Sequence, residues 1–170
     1  PVGEMVIRGM HNQYLKDLPE FPAEDEKYAN PEGKPLCVIC DIDGTIAEMS
    51  GRGPFEWHRV GEDLPKYSVI NTVRSLAKTG RPLIFFSGRD SVCRNETKKW
   101  LDTYFFDIPF ELYMRPEEDM RKDCVIKKEL FDNVVRGRYG VMCVFDDRDQ
   151  VVKLWRDMGL QCFQVNYGDF

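Results

Sequence analysis

The sequence contains no apolar run approaching the ~20 residues needed to cross a bilayer, and no signal-peptide pattern opens it. No membrane-spanning helix is therefore expected. It also lacks an excess of positive charge: the formal net charge is −5. Proteins that track long stretches of nucleic-acid backbone are normally basic, so a coat for DNA or RNA is excluded. A local cluster of arginines can still hold one phosphate or one strand end. Histidine is scarce, and His11 and His58 fall in no partner pattern, so neither is assigned a role. There is no internal repeat and no low-complexity segment.

Cysteine is present but without a framework. The six are Cys37, Cys40, Cys93, Cys124, Cys143 and Cys162. Cys37 and Cys40 have C-x-x-C spacing, yet no second pair of ligands stands nearby, and residues three apart on a strand point to opposite faces. Four of the six lie in or beside apolar runs, where free cysteine acts as a small hydrophobe. Neither zinc nor disulfides are expected, and a reducing, cytoplasmic location is.

A chain of 170 residues with 42% hydrophobic and 31% charged residues is an ordinary globular protein of about one domain. It begins with Pro1, which suggests a fragment or a processed chain. Residues 2–16 carry apolar residues at helical spacing, and the Pro- and acid-rich stretch after them reads as a linker. Residues 1–33 are therefore expected to be a helix and linker, and 34–170 a compact domain.

From Lys34 on, strands and helices alternate. LCVIC, PLIFFSG, FELYM, VMCVFDD and LQCFQV read as strands; YSVINTVRSLAKTG, ETKKWLDTYF, KDCVIKKELFDNVV and RDQVVKLWRDMG read as helices. Continuous apolar strands imply cover on both faces. The predicted fold is α/β: a three-layer α/β/α, Rossmann-like parallel sheet. Only about twenty residues separate the first strand's end from the next helix, too few for a separate domain. A small flap after the first strand is expected, and no large cap domain.

Three strands end in the same way. The first runs into Asp41, Asp43, Gly44 and Thr45, the second into Ser87, Gly88 and Arg89, the fourth into Asp146, Asp147 and Arg148. Open parallel sheets bind ligands beyond their strands' carboxyl ends, so these groups should meet along one edge. Asp41, Asp147 and a backbone carbonyl supply hard oxygen ligands that suit magnesium far better than zinc. Asp41, Asp43 and Asp147 are thus the expected Mg2+ residues. An Asp on a rigid turn can attack phosphorus and form an aspartyl-phosphate. Asp43 can then protonate the leaving oxygen and later deprotonate water. Ser87, Gly88, Arg89 and Lys127 would hold the phosphoryl oxygens. Arg52, in a glycine-flanked loop with no obvious partner, is expected to reach across the mouth of the site as a substrate contact.

This arrangement resembles the haloacid dehalogenase superfamily of phosphotransferases, whose four motifs match DIDGT, IFFSG, Lys127 and VFDD in order. The runs DIDGTIAEMSGRGPFEW, SGRD, RKDCVIKKELF, FDDRDQVVKLWRDMGLQCFQV and the ending GDF are similar to the 3′-phosphatase domain of the bacteriophage polynucleotide kinase/3′-phosphatase family. The similarity runs from about Gly33 to Phe170. Cys40 stands where that family commonly has phenylalanine, and the stretch between Arg89 and Trp100 is shorter. The resemblance implies Mg2+-dependent removal of 3′-phosphates from DNA or RNA ends, or from 3′-nucleotides, during end healing. It implies functional residues at Asp41, Asp43, Arg52, Ser87, Arg89, Asp123, Lys127, Asp146 and Asp147, and it makes residues 1–33 the junction to an upstream kinase. No G-x-x-x-x-G-K-[ST] loop occurs, so this chain itself carries no kinase of that type.

Two other readings compete. A phosphatase for small metabolites would share every catalytic residue and differ in what covers the site. A receiver-type phosphate-accepting switch carries its acidic pair after the first strand and its acceptor later, whereas here D-x-D-G-T comes first. Asp123 and the Asp146–Asp147 pair also admit a plainer role as helix caps, and Trp57, Trp100 and Trp155 read as core.

Overall fold

A computed structural model describes residues 27–168. The helix expected over residues 2–16, most of the linker after it, and the final Asp169 and Phe170 lie outside the described residues. In chain order the elements are β1 (Leu36–Cys40), β2 (Ala47–Glu48), a 3-10 turn (Trp57–Glu62), β3 (Leu64–Pro65), α1 (Tyr67–Ala77), β4 (Leu83–Asp90), α2 (Arg94–Tyr104), β5 (Phe110–Arg115), α3 (Asp123–Val134), β6 (Gly140–Arg148), α4 (Asp149–Asp157) and β7 (Cys162–Gly168).

The main sheet has the order β5-β4-β1-β6-β7, and every neighbouring pair is parallel. Alternate strand residues divide between two cores because successive side chains point to opposite faces. Val38, Cys40, Leu83, Phe85 and Phe145 pack with Ile70 and Val73 of α1 and Trp100 and Leu101 of α2. Cys37, Ile39, Ile84, Phe86 and Val144 pack on the other face with Phe131 and Val134 of α3 and Val151, Val152 and Trp155 of α4. Each fully buried side chain of this kind contributes about 1.5–3 kcal/mol of transfer free energy. Two such faces explain why β1 and β4 read as continuous apolar runs, and they make the three layers expected.

The insertion after β1 is small. β2 and β3 form an antiparallel pair, Ala47 opposite Pro65 and Glu48 opposite Leu64, closing the loop that includes the 3-10 turn. No cap domain stands among the described residues. Ahead of the expected boundary at Lys34, the chain is already tied to the domain. The Tyr28 amide donates to the Met158 carbonyl at 2.8 Å, the Tyr28 hydroxyl donates to the Tyr139 carbonyl, and the Asn30 side chain pairs with the Val141 backbone in both directions.

Candidate active site

Register assembles the site. Cys40 pairs with Phe85 on one side and Phe145 on the other. The residues that follow, Asp41, Ser87 and Asp146, therefore emerge at one edge of the sheet. The Asp41 amide donates to the Phe145 carbonyl at 2.9 Å, which carries the β1–β6 pairing one residue past the strand. Beyond it the chain turns sharply, with Ile46 and Ala47 amides returning to the Ile42 carbonyl. Gly44 sits there at φ +74°, and a Cβ would overlap the Asp147 carboxylate, so glycine is required twice over.

Three carboxylates surround one lysine. The Lys127 ammonium lies 2.6 Å from Asp41 Oδ1, 3.0 Å from Asp146 Oδ2 and 3.3 Å from Asp123 Oδ2. It and these three partners are all buried. Burial opposes its charge, yet Asp123, Asp146 and Asp41 together hold its pKa well above the ordinary lysine value. The other Asp41 oxygen, Oδ2, accepts from the Thr45 hydroxyl at 3.1 Å. Asp146 Oδ2 also accepts from the Trp155 indole at 3.2 Å, while its Oδ1 takes the Asp147 and Arg148 amides.

Asp123 does not serve as a helix cap: it is the first residue of α3 and its carboxylate meets Lys127 and Arg115. Burial pushes its carboxyl upward, but Lys127, Arg148 and Arg115 outweigh that and hold it below the usual value. It packs so closely on Gly88 that a Cβ there would overlap it. Arg115 braces the same place from below, donating to the Gly88 carbonyl at 2.8 Å.

The fit to a cation can be tested on these atoms. Asp41, Asp146 and Asp147 each offer a carboxylate oxygen, all within 4.8 Å of one another. Asp147 Oδ2 is buried and has no hydrogen-bond partner, a condition that costs free energy unless something supplies positive charge. Burial pushes the Asp147 carboxyl up to about 6, with the Asp146 charge adding to it and Lys127 and Arg148 opposing. Burial likewise pushes Asp41 well above the carboxylate range, against the pull of Lys127. An all-oxygen acidic set with one unpartnered buried oxygen suits a hard divalent ion.

Asp43 is elsewhere. Of the expected metal residues it alone turns its carboxylate away from this group. Arg89 donates to both its oxygens at 2.8 Å, and Arg52 Nη2 approaches Oδ1 at 3.4 Å. Both arginines also meet Asp63, a residue the sequence reading passed over. Arg52 forks onto Asp63 at 2.7 and 2.6 Å, and Arg89 Nη2 donates to Asp63 Oδ2 at 2.7 Å. Arg52 is therefore not the unpaired arm expected at the mouth of the site. Its side chain is 1% exposed, because the loop doubles back through the 3-10 turn and brings Asp63 to it. The side chain of Ser87 is fully buried, its Oγ accepting from the Arg89 amide at 3.2 Å.

The profile of the polynucleotide kinase PNKP phosphatase domain matches residues 35–170. This chain belongs to that family. A putative bifunctional polynucleotide kinase/RNA ligase of Autographa californica nuclear polyhedrosis virus is 36% identical over 162 residues, 93% of this chain and 22% of its own length. Among solved structures, a chain of a Pnkp1/Rnl/Hen1 complex matches with TM-score 0.77 and 42% identity, over 84% of this chain and 50% of that one. A chain of the Pnkp1/Rnl/Hen1 RNA repair complex matches with TM-score 0.77 and 37% identity, over 100% and 58%. The chain thus spans about a fifth of the viral relative and 50% and 58% of the structural ones.

Within this PNKP-type domain, nine expected functional residues fall into two connected groups. Asp41, Asp123, Lys127, Asp146 and Asp147 form the acidic one; Asp43, Arg52 and Arg89 form the other, with Ser87 touching Arg89. Lys66 also went unnoticed, though its ammonium donates to the Gly44 carbonyl at 2.6 Å. Lys66 and Asp63 both flank the two-residue strand β3, which is too short to leave a periodic signal in the sequence.

Proposed function

We propose that this chain is a magnesium-dependent polynucleotide 3′-phosphatase that works through an aspartyl-phosphate at Asp41. The observation that carries the reading is the division of the D-x-D pair. Asp41 is buried against Lys127, Thr45 and the unpartnered Asp147 oxygen, while Asp43 is 38% exposed and held by arginines. Two carboxylates in unlike environments suit two unlike roles.

An Asp41 oxygen attacks the phosphorus of a terminal 3′-phosphate, and the bond from phosphorus to the ribose oxygen breaks. Asp43 gives that oxygen its proton. In the second step water attacks the phosphoryl group, Asp43 takes the water's proton, and inorganic phosphate departs with Asp41 restored. Magnesium, which Asp41, Asp146 and Asp147 would hold, would neutralise the repulsion between carboxylates and phosphate. Arg89, Ser87 and Gly88 hold the phosphoryl oxygens, and Lys127 balances the negative charge gathered around Asp41. The flap is short and no cap domain stands among the described residues, which favours a polymer end over a small metabolite needing enclosure.

RNA ends are the natural first substrate, since one structural neighbour is an RNA repair complex and the viral relative carries an RNA ligase. We further infer that a kinase accompanies this domain in the full protein. The test is phosphate release from 3′- and 5′-phosphorylated DNA and RNA oligonucleotides and from a sugar phosphate, with magnesium and with chelator. Release from 3′-phosphates alone, lost in chelator, is expected. Preference for the sugar phosphate, or activity untouched by chelator, would overturn the reading.

A further inference from the structure

Lys66 carries no part of the D-x-D-G-T, Ser, Lys or acidic-pair pattern, yet it is fastened to the turn after β1 at two points. Its amide donates to the Ile46 carbonyl at 2.8 Å, and its ammonium donates to the Gly44 carbonyl at 2.6 Å. The pairing of Ala47 with Pro65 fixes the residue just before it against the same segment. Gly44 in turn lies against Asp147, whose carboxylate a Cβ there would overlap. The ammonium therefore stands two short contacts from the acidic group, where the flap returns to the domain.

Its charge sets it apart. The site's other cations are committed to carboxylates: Lys127 to Asp41, Asp123 and Asp146, Arg52 and Arg89 to Asp43 and Asp63, Arg115 and Arg148 to Asp123. The partner of Lys66 is a neutral carbonyl, and among the described residues no carboxylate lies within ion-pair distance of it. A carbonyl leaves the positive charge uncompensated, and it takes one of an ammonium's three donors. The side chain is partly buried, while Leu64 and Tyr67 on either side are exposed and leave the segment open.

An anchored but uncompensated cation beside a phosphate site suits a second anion. In a nucleic-acid strand that anion lies one ribose before the terminal 3′-phosphate, on the 5′ oxygen of the same nucleoside. With a net charge of −5 the chain has no excess of cations for a longer stretch of backbone. A strand end then has to be told from a lone nucleoside 3′-phosphate by very few contacts.

We propose that Lys66 is a specificity-determining residue: it binds the phosphate on the 5′ oxygen of the terminal nucleoside and so favours strand ends over 3′-mononucleotides. This rests on the phosphatase reading above. Lys66 makes and breaks no bond, so its loss should appear chiefly in KM, and in full only where the second phosphate is present.

The experiment compares thymidine 3′-monophosphate with thymidine 3′,5′-bisphosphate, which differ only in that second phosphate. The wild type should prefer the bisphosphate in kcat/KM. Lys66→Gln, which removes the charge but retains a donor for the Gly44 carbonyl, should cut that preference about fivefold, the upper size of one exposed ion pair. On a 3′-phosphorylated oligonucleotide it should also flatten the slope of log kcat/KM against log salt by about 0.7, the share of one phosphate contact on a single strand. Lys66→Arg, which keeps the charge, should keep most of the preference. Equal falls on both substrates would mark Lys66 as a mere clamp on the turn and overturn the proposal, as would a wild type without the preference. If Lys66→Gln does not fold, the wild type decides: its preference must shrink as salt rises, and a preference indifferent to salt overturns the proposal. A wild-type protein inactive on both nucleotides would instead refute the phosphatase reading, and this proposal with it.

Discussion

Replacing Lys127 with methionine keeps the stem of the side chain and removes only its charge. The consequence follows from what surrounds it: Asp41, Asp146 and Asp123 at 2.6, 3.0 and 3.3 Å, with no member of the group more than 6% exposed. Taking one partner from a buried ion pair costs about 3–5 kcal/mol, because the other charge stays behind unpaired. The whole stability of a domain is only about 5–15 kcal/mol, so Lys127→Met should be folded but fragile. For a chain of this length the loss corresponds to a fall in melting temperature of roughly 6–20 °C.

The loss should depend on pH with a definite sign. Burial already pushes Asp41 well above its ordinary 3.8, and Asp147 to about 6. With the lysine gone, nothing holds Asp41 down, so the folded state binds protons that the unfolded chain releases. Stability then falls as pH rises from the unfolded carboxylate value through the raised folded one. Melting followed by circular dichroism in chelator should show a larger deficit near about pH 7.5 than near about pH 5.5. Magnesium should restore more stability to the variant than it adds to the wild type. A variant melting within a degree or two of wild type at the higher pH would show that the ammonium is not neutralising buried acids, and the electrostatic account of the site would fail.

Asp41→Asn should abolish phosphate release while melting no lower than wild type, since one buried acid fewer relieves the crowding; a folded, fully active variant would remove Asp41 as nucleophile. Magnesium should raise the wild-type melting temperature, and more so above pH 6 than below it, because Asp147, with its carboxyl near 6, must lose its proton to bind the ion. A magnesium shift equal on both sides of that pH would count against Asp147 as a ligand. Arg52→Ala leaves Asp63 with Arg89 alone, and should lower kcat/KM on 3′-nucleotides about tenfold or more, on the order of 1.4 kcal/mol, while also lowering the melting temperature. Activity loss without destabilisation would return Arg52 to the role of exposed substrate arm. A 3′-mononucleotide should be hydrolysed, with a shallow salt dependence, given the net charge of −5; a steep dependence with long strands only would reveal a basic groove.

What was legible in the sequence was whatever follows from the strand pattern. Apolar runs such as LCVIC and LIFF could only be strands covered on both faces, and a parallel sheet collects the residues at its strand ends. Asp41, Ser87, Arg89 and Asp146 were therefore found by position alone, before any distance was known. Lys127 and Asp123 sit on a helix and were found through the motif resemblance; that resemblance assigned Lys127 to phosphate but could not show how many carboxylates it faces. Arg52 and Asp63 mark where the reasoning ran out. Their pairing spans eleven residues of irregular loop, and a loop's return path is set by tertiary contacts such as the Trp100 indole on the Asp63 carbonyl, not by periodicity. An arginine between two glycines looks unpartnered in a sequence because partners at that range leave no spacing signature.

The same contrast explains why two aspartates one residue apart do different work. Asp41 follows the central strand directly, so it inherits that strand's burial and its β6 neighbour: the acids it meets are those at the end of β6, and the cation paired with it is Lys127. Such a carboxylate is crowded by its own kind, and becomes a competent nucleophile only when positive charge is brought to it. Asp43 lies within the turn, where the chain leaves the sheet for the flap, and its partners are arginines that already have a second anion in Asp63. It can be released without stranding them. One carboxylate is thus buried and crowded by other acids, the other half-exposed and held by two arginines. That asymmetry comes from a turn at Gly44 that only glycine can make beside Asp147, which is why Gly44→Ala should impair both halves of the site at once: adding a methyl there displaces the Asp147 carboxylate and tilts the segment that carries Asp43.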